Sequence, residues 1–139
     1  MKIILQDADK FILRFDKDEE VFAGLMQFMK DQQITACAFR GIGACSSMEL
    51  GYFNQHMKEY RRKPFLEDME IISLIGTAGV SGAETVVHAH GLFGRNDFSS
   101  VGGHVFKMTI SATCELFVTK LEGSMKREMN TDLNLNLLV

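Results

Sequence analysis

The chain has 139 residues, 46% of them hydrophobic and 24% charged, with 15 basic against 18 acidic side chains and a net charge of −3. That length suits a single domain, residues 1–139, able to bury its own core. The acidic balance disfavours nucleic acid and anionic membrane as partners, because both call for a positive field. No apolar run approaches the roughly 20 residues of a membrane helix, and Met1–Lys10 lacks the apolar stretch of a signal peptide. The cysteines are Cys37, Cys45 and Cys114, an odd number with no C-x-x-C pattern. They argue against a disulfide framework and for a reducing, cytoplasmic setting.

Phe11, Leu13 and Phe15 alternate with Ile12 and Arg14. This predicts a strand, with Met1–Leu5 pairing as a lead-in. Asp16-Lys17-Asp18-Glu19 then opens a helix, with Asp16 the expected N-cap and Glu19 its capping-box partner three residues later. Val21, Phe22, Leu25, Met26, Phe28 and Met29 recur at helical spacing and form a core-facing stripe. Asp31-Gln32-Gln33 ends the helix. Ile34–Phe39 reads as a short buried strand. Gly41 and Gly43 admit a bend or a β-bulge, but the full dinucleotide-binding fingerprint is missing. Ser47–Asn54 alternates as a half-exposed strand. It leads through a turn at Asn54–Lys58, where His56 is solvated, into Glu59–Lys63. Lys58, Arg61, Arg62 and Lys63 are the one basic cluster. With Pro64 beside them they read as a charged edge strand. Met69–Ala78 is a long apolar strand, and Gly79–Glu84 is a polar connection.

The stretch Thr85–Lys107 holds three of the four histidines. His88 and His90 are two apart, so in a strand both rings leave the same face. A hairpin turning near Asp97 places residues whose numbers sum to 194 opposite each other, which sets His90 against His104. Opposed Cβ atoms start about 5 Å apart, close enough for rings to share one cation. A three-histidine zinc keeps a further position open for water or a ligand. The alternative is that each ring satisfies a backbone carbonyl, and a register slip of one residue would send His104 to the other face. Beyond this, Val105–Ser111 and Thr113–Leu121 read as two strands. Gly123–Asn136 is polar, and Leu135, Leu137 and Val139 suit a short closing strand. Many strands, one helix and short links predict an α+β fold with a largely antiparallel, barrel-like sheet.

Gly41-Ile42-Gly43-Ala44 followed by Leu50-Gly51-Tyr52-Phe53, then Glu70–Gly76, His88-Ala89-His90, Gly102-Gly103-His104 and Glu122-Gly123, come in an order and spacing that resemble the plants-and-prokaryotes conserved (PPC, DUF296) domain. The tail Asp132–Leu138 is similar to that family's ending but lacks its usual Pro and Gly. The resemblance implies an antiparallel α/β domain that assembles as a homotrimer. Plant members join this domain to AT-hooks and DNA binding. Here the Arg-Gly-Arg-Pro core of an AT-hook is absent, so DNA binding is the least favoured function. A wider similarity in fold to acetolactate decarboxylase, a zinc enzyme with a His-x-His pair and a later third histidine, matches His88, His90 and His104 residue by residue.

These observations yield two leading expectations. One is a metal-dependent enzyme or ligand-binding protein acting on a small oxygenated molecule. Its ligands to zinc or another divalent transition metal would be His88, His90 and His104. Arg40 would hold a carboxylate, and Glu84 or Glu122 would serve as base or supporting partner. Ordinary surface charge is the alternative for each of those last three. The other expectation is a trimeric binding or scaffold module with a structural metal. Because histidine ligates only when neutral, the first expectation carries a further one, metal release on mild acidification.

Overall fold

The computed structural model describes the whole chain, Met1–Val139. In order it contains β1 (Lys2–Asp7), β2 (Lys10–Asp16), α1 (Val21–Asp31), β3 (Cys37–Asn54), β4 (Glu59–Phe65), β5 (Met69–Ser81), β6 (Glu84–Gly94), β7 (Ser100–Lys120), β8 (Arg127–Asn130) and β9 (Leu135–Leu138). Seven strands form one antiparallel sheet in the order β1-β2-β7-β6-β5-β3-β4, and β8 and β9 make a separate ribbon. β3 also pairs with β7, so β3, β5, β6 and β7 close on one another as a small barrel. The α+β expectation, with one helix and a barrel-like sheet, therefore holds. No helix is long and apolar enough to cross a membrane.

Two pairs of expected strands prove to be single long ones. The strand expected at Ile34–Phe39 starts only at Cys37 and continues into Ser47–Asn54 as β3, running through the glycine segment with a register shift between Gly41 and Gly43. Gly43 has φ +151°, and a Cβ there would lie 2.2 Å from the Thr113 carbonyl oxygen of β7. The bulge thus bends the strand without ending it. Likewise Val105–Ser111 and Thr113–Leu121 are continuous in β7. The polar stretch after Gly123 contains one further strand, β8. That ribbon docks where the Val80 N–H donates to the Met125 carbonyl at 2.8 Å.

The helix starts later than its acidic run implies. Its N-cap is Glu20, whose carboxylate accepts the N–H groups of Phe22 (3.2 Å) and Ala23 (2.7 Å). Asp16 is drawn away by Lys2 at 2.8 Å and Arg14 at 2.9 Å. The chain then turns through Asp18 at φ +69° before the helix can begin. One arm of the expected capping box survives, since the Glu19 carboxylate accepts the Asp16 N–H at 2.8 Å. Its other oxygen takes the Met1 ammonium. Glu20 also accepts the Met108 N–H at 3.1 Å, which ties the helix start to β7.

The predicted stripe is the buried one: Val21, Phe22, Leu25, Phe28 and Met29 face the core, while Met26 is only half-buried. Phe28 meets Phe11 of β2 edge-on, with ring centroids 5.1 Å apart. Each such side chain contributes about 1.5–3 kcal/mol by burial. The three cysteines are buried in the same core. Loss of hydration pushes Cys37 up to about 11 and Cys45 and Cys114 up to about 12, so all three stay as unreactive thiols.

Candidate metal centre

The register expected for the histidine hairpin is the one found. His90 pairs with His104, Gly91 with Gly103, Leu92 with Gly102, Phe93 with Val101 and Gly94 with Ser100. The loop is short, five residues from Arg95 to Ser99, because β6 runs to Gly94 and β7 begins at Ser100. The turn closes through the Arg95 N–H on the Ser99 carbonyl and the Phe98 N–H on the Arg95 carbonyl, both 2.9 Å. The Asp97 carboxylate locks it by accepting the Ser99 N–H (2.9 Å) and hydroxyl (2.6 Å). Those bonds hold the Asp97 carboxyl below its usual range. Fixing the turn fixes which residues oppose each other, and so brings His104 onto the face of His88 and His90.

The three rings converge. Their candidate ligand atoms all lie within 4.8 Å of one another. His88 and His104 stack with centroids 5.3 Å apart and an interplanar angle of 28°, and His90 stands nearly perpendicular to both. Imidazole nitrogens on one tetrahedral zinc lie roughly 3.3 Å apart, so modest side-chain rotation brings this set into coordination range. Strand β5 lies behind them, with Thr77 opposite His88 and Ile75 opposite His90. Gly76 sits between those two positions. A Cβ there would lie 2.4 Å from the His88 carbonyl oxygen, so β5 and β6 approach this closely only around glycine.

The state of the donor set suits a cation. Burial first, then the neighbouring His88 and His90, push His104 down to about 4. Burial also lowers His88, followed by the nearby charge of Arg127 and His90. Both rings are therefore neutral at pH 7 and carry a lone pair. His104 Nδ1 is buried with no hydrogen-bond partner. A buried imidazole nitrogen without a partner is costly, and a divalent transition metal would satisfy it. Phe106 and Tyr60 pack on the His104 ring with centroids at 4.5 and 4.9 Å, which holds its orientation.

His88 and His90 stand on the wall of a cleft of about 830 Å³ that also includes Leu5, Ile75, Phe117 and Arg40. Arg40 therefore shares the cleft with His88 and His90, and its guanidinium lies over the Phe117 ring at 5.5 Å. Glu84 is at the far tip of the β5–β6 hairpin, opposite Ser81, and Glu122 lies in the turn after β7. Neither lines the cleft or joins the histidine group. Sequence reasoning missed Arg127, whose guanidinium lies 3.4 Å from His88 Nδ1. It also missed the Tyr60–Phe106 pair. Phe106 was within reach, since it lies two residues from His104 in one strand; Arg127 comes from a separate ribbon and left no periodic signal.

Residues 5–122 match the Plants and Prokaryotes Conserved (PCC) domain. A candidate DNA-binding protein from Bacteroides thetaiotaomicron is 30% identical, with 97% of this chain and 94% of that one covered at a TM-score of 0.92. A metal-containing protein from Archaeoglobus fulgidus is also 30% identical, with 100% and 99% covered at a TM-score of 0.89. The fold alone extends to acetolactate decarboxylase from Bacillus subtilis, at 14% identity, 88% of this chain and 57% of that one, and a TM-score of 0.59. No curated protein sequence matches at significance.

Proposed function

Since the chain belongs to the Plants and Prokaryotes Conserved domain family, we propose that His88, His90 and His104 hold zinc or another divalent transition metal and present it to a small oxygenated ligand in the adjoining cleft. One observation carries this reading: three imidazoles, two of them held neutral, converge beside a cleft large enough for a small molecule. A cation bound there would polarise a carbonyl or lower the pKa of a bound water toward 7. The protein's own part is positional. Arg40 offers a donor fork to a carboxylate, and Leu5, Ile75 and Phe117 give the ligand apolar contact. The access this cleft gives to the histidines favours a ligand-binding or enzymatic centre over a purely structural metal.

The test is elemental analysis of tag-free protein, with about one transition-metal ion per chain expected and His88→Ala losing it. Absence of metal, or full retention by His88→Ala, overturns the proposal. We extend it to a homotrimer in a reducing cytoplasm. Ile4 and Ile72, 55% and 52% exposed and outside the cleft, are apolar surface that association would cover, and three free thiols suit that compartment. Light scattering that returns a monomer at micromolar concentration would remove the trimer.

DNA binding receives less support from this chain. Of the basic cluster, Arg62 is engaged by Glu49, and the net charge is negative.

A further inference from the structure

Arg127 is the one charged residue among the buried set, 6% exposed. Its Nη1 donates to the Asn136 carbonyl at 3.2 Å, its Nη2 donates to Thr77 Oγ1 at 3.1 Å, and Nη2 lies 3.4 Å from His88 Nδ1. All three partners are neutral acceptors. Nε has no partner, and none of the five ion pairs includes Arg127. A guanidinium taken out of water without a counter-charge is strongly destabilising. Here it reaches Thr77 and His88, which both line the cleft. The lining of the cleft as a whole carries Lys10 and Arg40 against a single carboxylate, Asp7.

The contact with His88 adds a second argument. An arginine only donates, so the contact uses the Nδ1 lone pair and leaves the ring proton on Nε2. A cation that takes His88 needs a lone pair from the same ring. Either it claims Nδ1 from Arg127, or the ring changes tautomer and Nδ1 carries a proton that Arg127 cannot accept. Both routes release an N–H of the guanidinium beside the cleft.

We propose that Arg127 anchors an oxyanion subsite at the histidine end of the cleft, receiving the carboxylate or phosphate group of a small ligand. The planar donor fork matches both groups. This deepens the metal-centre reading by naming the charge of the ligand, yet the subsite is present without the metal. Because cation binding frees the guanidinium, the two ligands help each other, and the coupling is reciprocal.

The experiment is calorimetric titration of glycolate and of inorganic phosphate into metal-free protein, then into zinc-loaded protein. One-site binding is expected, tighter with zinc, and the tighter anion identifies the group. Arg127→Met should bind that anion about ten- to a hundredfold more weakly while still taking up zinc. Wild-type protein that binds neither anion at millimolar concentration overturns the proposal, as does a variant that binds like wild type. Failure to bind zinc would sink the metal centre alone, because the metal-free titration still reports on the anion. Should Arg127→Met not fold, the Arg127 Nε–H resonance of ¹⁵N-arginine-labelled wild type decides. A shift on adding the anion supports the subsite, and an unmoved signal overturns it.

Discussion

Positive charge collects in two places, and the protein treats them differently. On β4, Arg62 forms a two-point ion pair with Glu49, Nε to Oε1 at 2.8 Å and Nη2 to Oε2 at 3.1 Å. Its guanidinium also lies 3.7 Å over the Phe106 ring. Arg61 and Lys63 beside it stay solvated. At the histidine end of the cleft, Arg127 is buried deeper and meets only neutral groups. The dense cluster along the sequence is thus satisfied, while the isolated arginine is not. Unmet charge in a buried place says more about a site than the number of charges along a strand.

The largest effect expected is at the histidines. His104→Ala removes one of the three proposed ligands and should weaken zinc binding by more than about a hundredfold in a competition titration. Arg61→Ala, a solvated member of the β4 cluster, should leave that affinity unchanged. Equal losses from both would erase the contrast between the two regions.

Gly76→Ala comes next. The added methyl must push on the His88 carbonyl and the Phe39 ring, with approaches of 2.4 and 2.6 Å. We expect a loss of about 1–3 kcal/mol in denaturant unfolding, together with weaker metal binding as β5 and β6 separate. A variant as stable as wild type would mean that the strands relax without cost.

Acid should discriminate between the regions as well. The His104 imidazole titrates near 4 in the folded protein, against about 6.5 in an unfolded chain. Between those values the unfolded state binds the extra proton, so this group's contribution is complete above about pH 6.5 and lost as pH falls toward 4. Chelator-treated protein should therefore lose stability across that window, and His104→Phe should flatten the dependence. Proton competition at His104 is likewise displaced to lower pH, so release of metal from this ligand needs more acid than an ordinary imidazole would.

The smallest effect belongs to Arg62. Its side chain is half-exposed and its ion pair is screened by water, so Arg62→Ala should cost at most about 1 kcal/mol in thermal or chemical unfolding. A much larger loss would make the β4 cluster as demanding as the cleft.

Much of the fold was legible because it depends on local rules. The alternation around Phe11–Phe15, the helical stripe from Val21 to Met29 and the charged edge at Arg61–Lys63 all appear where expected. The errors lie where distant groups intervene. Asp16 fails as a cap because Lys2 and Arg14 claim it. β3 and β7 run on where breaks were expected, because each is held along its length by partners far away in the chain. The meeting of the three histidines belongs to the legible part, since one hairpin register brings His104 beside His90.

By itself, the sequence determined which imidazoles meet, for alternation along strands and the closure of a short turn act between neighbours. Only the tertiary structure decided what surrounds them: the neutral state of His104, the cleft shared with Arg40, and the guanidinium delivered from β8. Burial and charge are properties of assembled space, and no spacing along the chain encodes how much water is left beside a side chain.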